Sequence, residues 1–127
     1  NNLLWMQALL DMGKREEAAK VYESMSKLYN LVRSDGLLKV SNESDGNRYI
    51  PTIEPGDNAL WLQNLFYLGR KSQSYKVYES FCSPEGLVRS DNLVSHSKDI
   101  SLIFSYDNAL WIGALARLSK EDWQEFY

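Results

Sequence analysis

The tetrad Asn2-Leu3-Leu4-Trp5 returns as Asn58-Ala59-Leu60-Trp61 and again as Asn108-Ala109-Leu110-Trp111. The first two copies stay in register beyond it. Val21-Tyr22-Glu23-Ser24 becomes Val77-Tyr78-Glu79-Ser80, and Leu31-Val32-Arg33-Ser34-Asp35 becomes Leu87-Val88-Arg89-Ser90-Asp91. The period from Asn2 to Asn58 is 56 residues. A unit repeated in this way generally cannot bury its own apolar face, so neighbouring copies must stack. The chain divides into repeats at 1–56, 57–106 and 107–127, the last incomplete. It is expected to be a fragment of a longer array.

Copies one and two predict the same three segments, and copy three covers the first and part of the second. The first is apolar almost all round: residues 3–12, 59–68 and 109–118 each hold eight apolar side chains of ten. A helix with no polar face belongs inside, so these are inner helices. Asp57 and Asp107 stand at their starts, where a carboxylate accepts from orphan N–H groups and suits the positive helix end. Gly13 and Gly69 stand at their ends, where a left-handed cap is expected.

The second segment is amphipathic. Ala18, Val21, Tyr22, Met25 and Tyr29 form one stripe in copy one, and Tyr75, Tyr78, Phe81 and Cys82 form the matching stripe in copy two. These are outer helices lying on the inner ones. Pro84 should stop the second near Cys82. Asn30 and Gly86 occupy equivalent end positions and tolerate positive φ. The third segment is a long return that opens with Leu-Val-Arg-Ser-Asp and closes through extended pieces around Ile50–Ile53 or Ile100–Ile103. Long ordered returns usually carry function. The fold class is therefore all-α: tandem helical hairpins with long return loops and short extended segments.

Charge excludes several partners. The net charge is −3 with both signs interleaved, so there is no basic footprint for nucleic acid or for an anionic membrane surface. No apolar run approaches the roughly 20 residues that span a bilayer. Cys82 is the lone cysteine and cannot form an internal disulfide, so the compartment stays unknown. No cofactor is expected. No His/Cys cluster offers a metal site, and His96, between Ser95 and Ser97, has no third group to make a nucleophile. Asn42-Glu43-Ser44 matches a glycosylation sequon, a triplet short enough to arise by chance.

A buried helix, an amphipathic helix and a long return together resemble the helical hairpin of (α/α) toroids. The run Ser105-Tyr106-Asp107-Asn108-Ala109-Leu110 before an apolar helix is similar to six-hairpin glycosidases, in which a return loop delivers a Tyr-Asp pair to the barrel mouth. Copy two departs from that pattern, with Pro55-Gly56 in place of Ser105-Tyr106. A six-hairpin ring at this period needs far more than 127 residues, so closure would require self-association or the remainder of a longer chain.

The resemblance implies a carbohydrate-active, glycosidase-like protein working by carboxylate acid/base chemistry. Asp107 and Asp57 are then the catalytic candidates, since glycoside hydrolysis needs two carboxyl groups about 5–10 Å apart. Trp61, Trp111, Tyr106, Asn58, Asn108 and Arg89 are the candidate substrate-binding residues, with indole faces stacking on sugar rings and Arg pairing with carboxylated sugars. Each has a plainer reading: capping for the Asp pair, packing between hairpins for the Trp residues, and an Arg-Asp tie within the return for Arg89 with Asp91. The competing class is a non-catalytic helical-repeat scaffold that binds protein or glycan, since a catalytic site usually breaks symmetry between repeats.

Overall fold

A computed structural model describes residues 2–39, 53–83, 86–95 and 103–118. Among these residues five α-helices run in the order α1 (Asn2–Asp11), α2 (Arg15–Glu23), α3 (Pro55–Tyr67), α4 (Lys71–Cys82) and α5 (Ser105–Arg117). A π-helical turn, Ser24–Leu28, continues α2. Among the described residues there is no strand, only isolated antiparallel bridges, so the fold is all-α as expected.

The layers follow from the sequence pattern. The all-apolar helices α1, α3 and α5 pack side by side, with α3 in the middle touching both, while α2 lies on α1 and α4 on α3. Ten of the thirteen residues of α3 are buried, from Pro55 through Leu65. In α1 only Leu3, Met6 and Leu9 are buried, and in α5 only Asp107, Trp111 and Ala114. Helix α3 is not the most apolar of the three, so position and not composition sets this difference. Helix α3 has an inner neighbour on each side, whereas α1 and α5 each have α3 on one side only.

The inner-to-outer turns form as expected. Gly13 (φ +75°) and Gly69 (φ +92°) take the left-handed conformation that closes α1 and α3. In each case two amides turn back on the helix: Gly13 and Lys14 donate to Leu10 and Leu9, and Gly69 and Arg70 to Phe66 and Leu65. The Arg15 guanidinium completes the end of α3 by donating to the Leu68 carbonyl at 2.7 Å.

The outer ends differ between copies. Helix α4 stops at Cys82, just ahead of Pro84, whereas in copy one the π turn carries the helix on to Leu28. Asn30 then adopts φ +51°. At its counterpart Gly86 the constraint is room, because a Cβ there would collide with the carbonyl oxygens of Phe81 and Ser80.

The return segments open as compact hairpins, which the sequence reading did not anticipate. Val32 bridges Leu38, and Val88 bridges Val94. Arg33 N–H donates to Leu37 O and Arg89 N–H to Leu93 O, both at 2.8 Å. The turn needs one residue at positive φ, and it is Gly36 (+89°) in copy one and Asn92 (+70°) in copy two. Both residue types accept that conformation at low cost. Ile53, where the first return closes, bridges Lys39. The expected extended pieces at 50–52 and 100–102, the sequon at 42–44, Pro84 and His96 lie outside the described residues.

Candidate functional site

Asp57, Asn58, Tyr106, Asp107 and Asn108 lie where the inner helices begin, whereas Trp61, Trp111 and Arg89 do not. Helices α3 and α5 start at Pro55 and Ser105, three residues earlier than Asp caps would place them, and their N-caps are Glu54 and Phe104 without side-chain capping bonds. Asp57 and Asp107 are therefore third helical residues instead of caps. Their carboxylates still lie within the first turn, where the helix dipole favours negative charge. Asp107 is buried at 4% exposure, while Asp57 is half-buried. The Asp107 carboxylate lies against Gly56, with Oδ1 only 2.9 Å from where a Cβ would stand. The two Asp-bearing first turns are thus in direct contact, held close by a glycine. Tyr106 beside them is 63% exposed.

The next position in each copy has a different task. Asn58 is fully buried, and its amide grips the backbone of the preceding hairpin. Oδ1 accepts from Leu38 N–H at 2.6 Å and Nδ2 donates to Leu38 O at 3.1 Å. Asn108 repeats the pairing on Val94, at 2.8 and 3.1 Å. Each Asn also donates to the carbonyl four residues back, Glu54 or Phe104. Only a primary amide offers a donor and an acceptor side by side to one peptide unit. This satisfies loop groups that would otherwise be buried without partners.

The Trp residues lie at the seams between hairpins. Trp61 is 1% exposed, stacks on Tyr22 of the preceding outer helix (5.8 Å, 11°) and donates through Nε1 to Gly36 O at 3.3 Å. Trp111 is 4% exposed and stacks on Phe81 (4.4 Å, 8°) and Tyr78 (6.1 Å, 16°). Their indole faces are occupied by protein. Arg89 pairs with Asp91 at 3.3 Å, as Arg33 does with Asp35 at 3.0 Å. Each Asp also accepts from the amide two residues on, Leu93 or Leu37, so the pair stays inside its own hairpin.

Among the described residues no metal centre is assembled, and the thiol of Cys82 is not activated. Among the described residues no group of three His, Cys, Asp or Glu side chains could hold a metal, and no helix is long and apolar enough to cross a membrane. Cys82 is exposed, yet partial desolvation of its thiol raises the pKa, with a Tyr78 hydrogen bond opposing. A raised thiol pKa leaves less thiolate at neutral pH, the reverse of what a nucleophile needs.

Sequence reasoning missed the partner of each seam. The recurrence of Trp was plain, but the Tyr22 ring, the Gly36 carbonyl and the Leu38 peptide that meet its helix come from a different repeat. The available signal was the paired recurrence of Tyr22/Tyr78 with Trp61/Trp111. No family model matches the chain, and no curated protein or solved structure matches it either.

Proposed function

We propose that this chain is a non-catalytic helical-repeat scaffold whose exposed edge, at the first turns of α3 and α5, binds a protein or glycan partner. One observation carries this reading. The residues most suited to holding a substrate perform the same supporting task in successive repeats: Asn58 and Asn108 on hairpin backbones, Trp61 and Trp111 on outer-helix rings. A catalytic centre usually breaks the symmetry between repeats, and function is argued from the site and not from the fold. Ile103, Phe104 and Tyr106 are exposed at that edge and supply apolar contact area there.

A glycosidase-like reading has its own support in the contact between the Asp107 carboxylate and the Asp57-bearing turn at Gly56. In that case the chain contributes part of the mouth of an (α/α) toroid, and one carboxyl protonates the leaving oxygen while the other acts as base or nucleophile.

One experiment separates the two. The intact protein is assayed against a panel of glycosides and by calorimetry against the corresponding oligosaccharides, alongside Asp107→Asn, Asp57→Asn and Tyr106→Ala. The scaffold reading expects no turnover, and it expects Tyr106→Ala to weaken partner binding without shifting the melting temperature. Turnover abolished by Asp107→Asn or Asp57→Asn, with the melting temperature nearly intact, overturns it in favour of the enzyme.

A further inference from the structure

Helix α1 presents to solvent the positions that α3 buries. Leu4 is 49% exposed, Trp5 52% and Met12 58%, whereas their counterparts one repeat later, Leu60, Trp61 and Leu68, are 6%, 1% and 7% exposed. Asn2 is likewise exposed where Asn58 is fully buried. What covers Trp61 and Asn58 is known in atomic detail: the Tyr22 ring, the Gly36 carbonyl and the Leu38 peptide, all from the preceding hairpin.

We propose that this face of α1 is a seat for one further hairpin of the same repeat, an outer helix and return hairpin docking on Asn2, Leu4 and Trp5. The proposal rests on the scaffold reading of the repeat and specifies its partner. The established seam between repeats one and two supplies the template. There the Arg70 guanidinium lies 4.1 Å over the Tyr22 ring, Gln73 accepts from the Tyr22 hydroxyl at 2.9 Å, and Ser80 Oγ donates to Asp35 O at 2.6 Å.

The equivalent positions in copy one hold Lys14, Glu17 and Ser24. A cation, a side-chain acceptor and a hydroxyl therefore hold the same repeat positions relative to Trp5 as relative to Trp61. This polar frame is what distinguishes the seat from a general apolar patch. It fits an aromatic ring with a terminal hydroxyl, followed by a tight turn with an open carbonyl, and both belong to this repeat. The occupant carries a Tyr in the register of Tyr22 and Tyr78. It also offers a peptide unit, in the register of Leu38 and Val94, to the Asn2 amide.

The test extends the chain by grafting residues 55–107, inner helix included, directly ahead of Asn2, so that Trp5 follows its new neighbour as Trp111 follows residues 55–107. Trp5 is read by difference against the Trp5→Phe variant in both chains, since Trp61, Trp111 and Trp123 also emit. In the original chain, acrylamide should quench Trp5 freely. In the extended chain its quenching should fall several-fold and its emission shift to the blue, with added helical circular dichroism. Tyr78→Ala within the graft alone should restore the quenching. Asn2→Ala should lower the melting temperature of the extended chain but not of the original.

Unchanged quenching of Trp5 in an extended chain that has gained helix overturns the proposal, as does a graft that stays unfolded. Protection of Trp5 in the original chain with a concentration-dependent dimer in light scattering also overturns it, since the occupant is then a second copy docking by itself. Glycoside turnover would refute the scaffold reading and leave these fluorescence results unaffected.

Discussion

The seams at Trp61 and Trp111 solve one problem with different chemistry. At the first, the indole meets a single ring, Tyr22, and the rest of the contact is polar: Nε1 to the Gly36 carbonyl, the Tyr22 hydroxyl to Gln73, and the Arg70 guanidinium over the ring. At the second, two rings, Tyr78 and Phe81, both stack near-parallel on the indole. Where copy two places Phe81, copy one has Met25. The smaller aromatic load at the first seam is offset by hydrogen bonds, so seam geometry survives a change in what holds it. The repeat specifies positions, and the side chains at those positions are free to trade packing for polar contact.

Truncating the indoles tests this contrast most severely. Trp61→Ala removes a fully buried ring and should cost about 3–5 kcal/mol. Trp111→Ala should cost roughly 1 kcal/mol less, because it lacks the hydrogen bond to a hairpin carbonyl that Trp61 makes. Trp5→Ala should stay within about 0.5 kcal/mol in the same urea titrations, as expected of an exposed position. Equal losses at all three positions would break the comparison.

The asparagines come next. Asn58→Ala strands the Leu38 N–H and C=O in a buried setting and should cost about 2–3 kcal/mol, whereas the half-buried Asn108→Ala should cost about 1 kcal/mol. Hydrogen exchange at the Leu38 amide should accelerate in the first variant and the Val94 amide in the second.

The two hairpin turns give a smaller and unequal pair of effects. Gly36→Ala places a Cβ at φ +89°, 3.2 Å from the Lys76 side chain, and should destabilise by about 1–2 kcal/mol. Asn92→Gly relieves a left-handed residue and should change thermal stability by no more than about 0.5 kcal/mol.

The smallest effect belongs to Cys82. Its pKa is raised in the folded chain, so below the ordinary thiol range folded and unfolded forms are both protonated and nothing is lost. As pH rises past that range the unfolded chain ionises first, and folding stability declines slightly. Iodoacetamide should modify Cys82 more slowly at pH 7.5 than a model thiol, and unfolding in urea should remove the difference.

The sequence made the helical layers legible because their signals are local. Eight apolar residues of ten in residues 59–68, with Gly69 after them, determine an inner helix and its end with no reference to the rest of the chain. The hairpins at 31–39 and 87–95 were hidden, since Gly36 and Asn92 perform the same turn with different residues and each arm is too short to show alternation. The tasks of the candidate site residues were hidden for a further reason. The partners of Asn58 lie 20 residues back and those of Trp61 in an adjoining repeat, and no local pattern encodes a partner at that separation. The caps of α3 and α5 were misplaced by three residues because Asp57 and Asp107 look like caps in a list of residues, while Pro55 already fits the first helical position.

The Asn58 grip also gives the chain a direction in time. The hairpin at 31–39 is complete as a stretch of sequence well before Asn58 and Trp61 are joined to it, yet its Leu38 peptide and Gly36 carbonyl are paired only by those two residues. A chain growing from a ribosome at roughly 5–20 residues per second would leave these groups of each finished turn without their protein partners until the next inner helix emerged. Synthesis and folding then run one unit out of step, and every newly made hairpin waits for its successor.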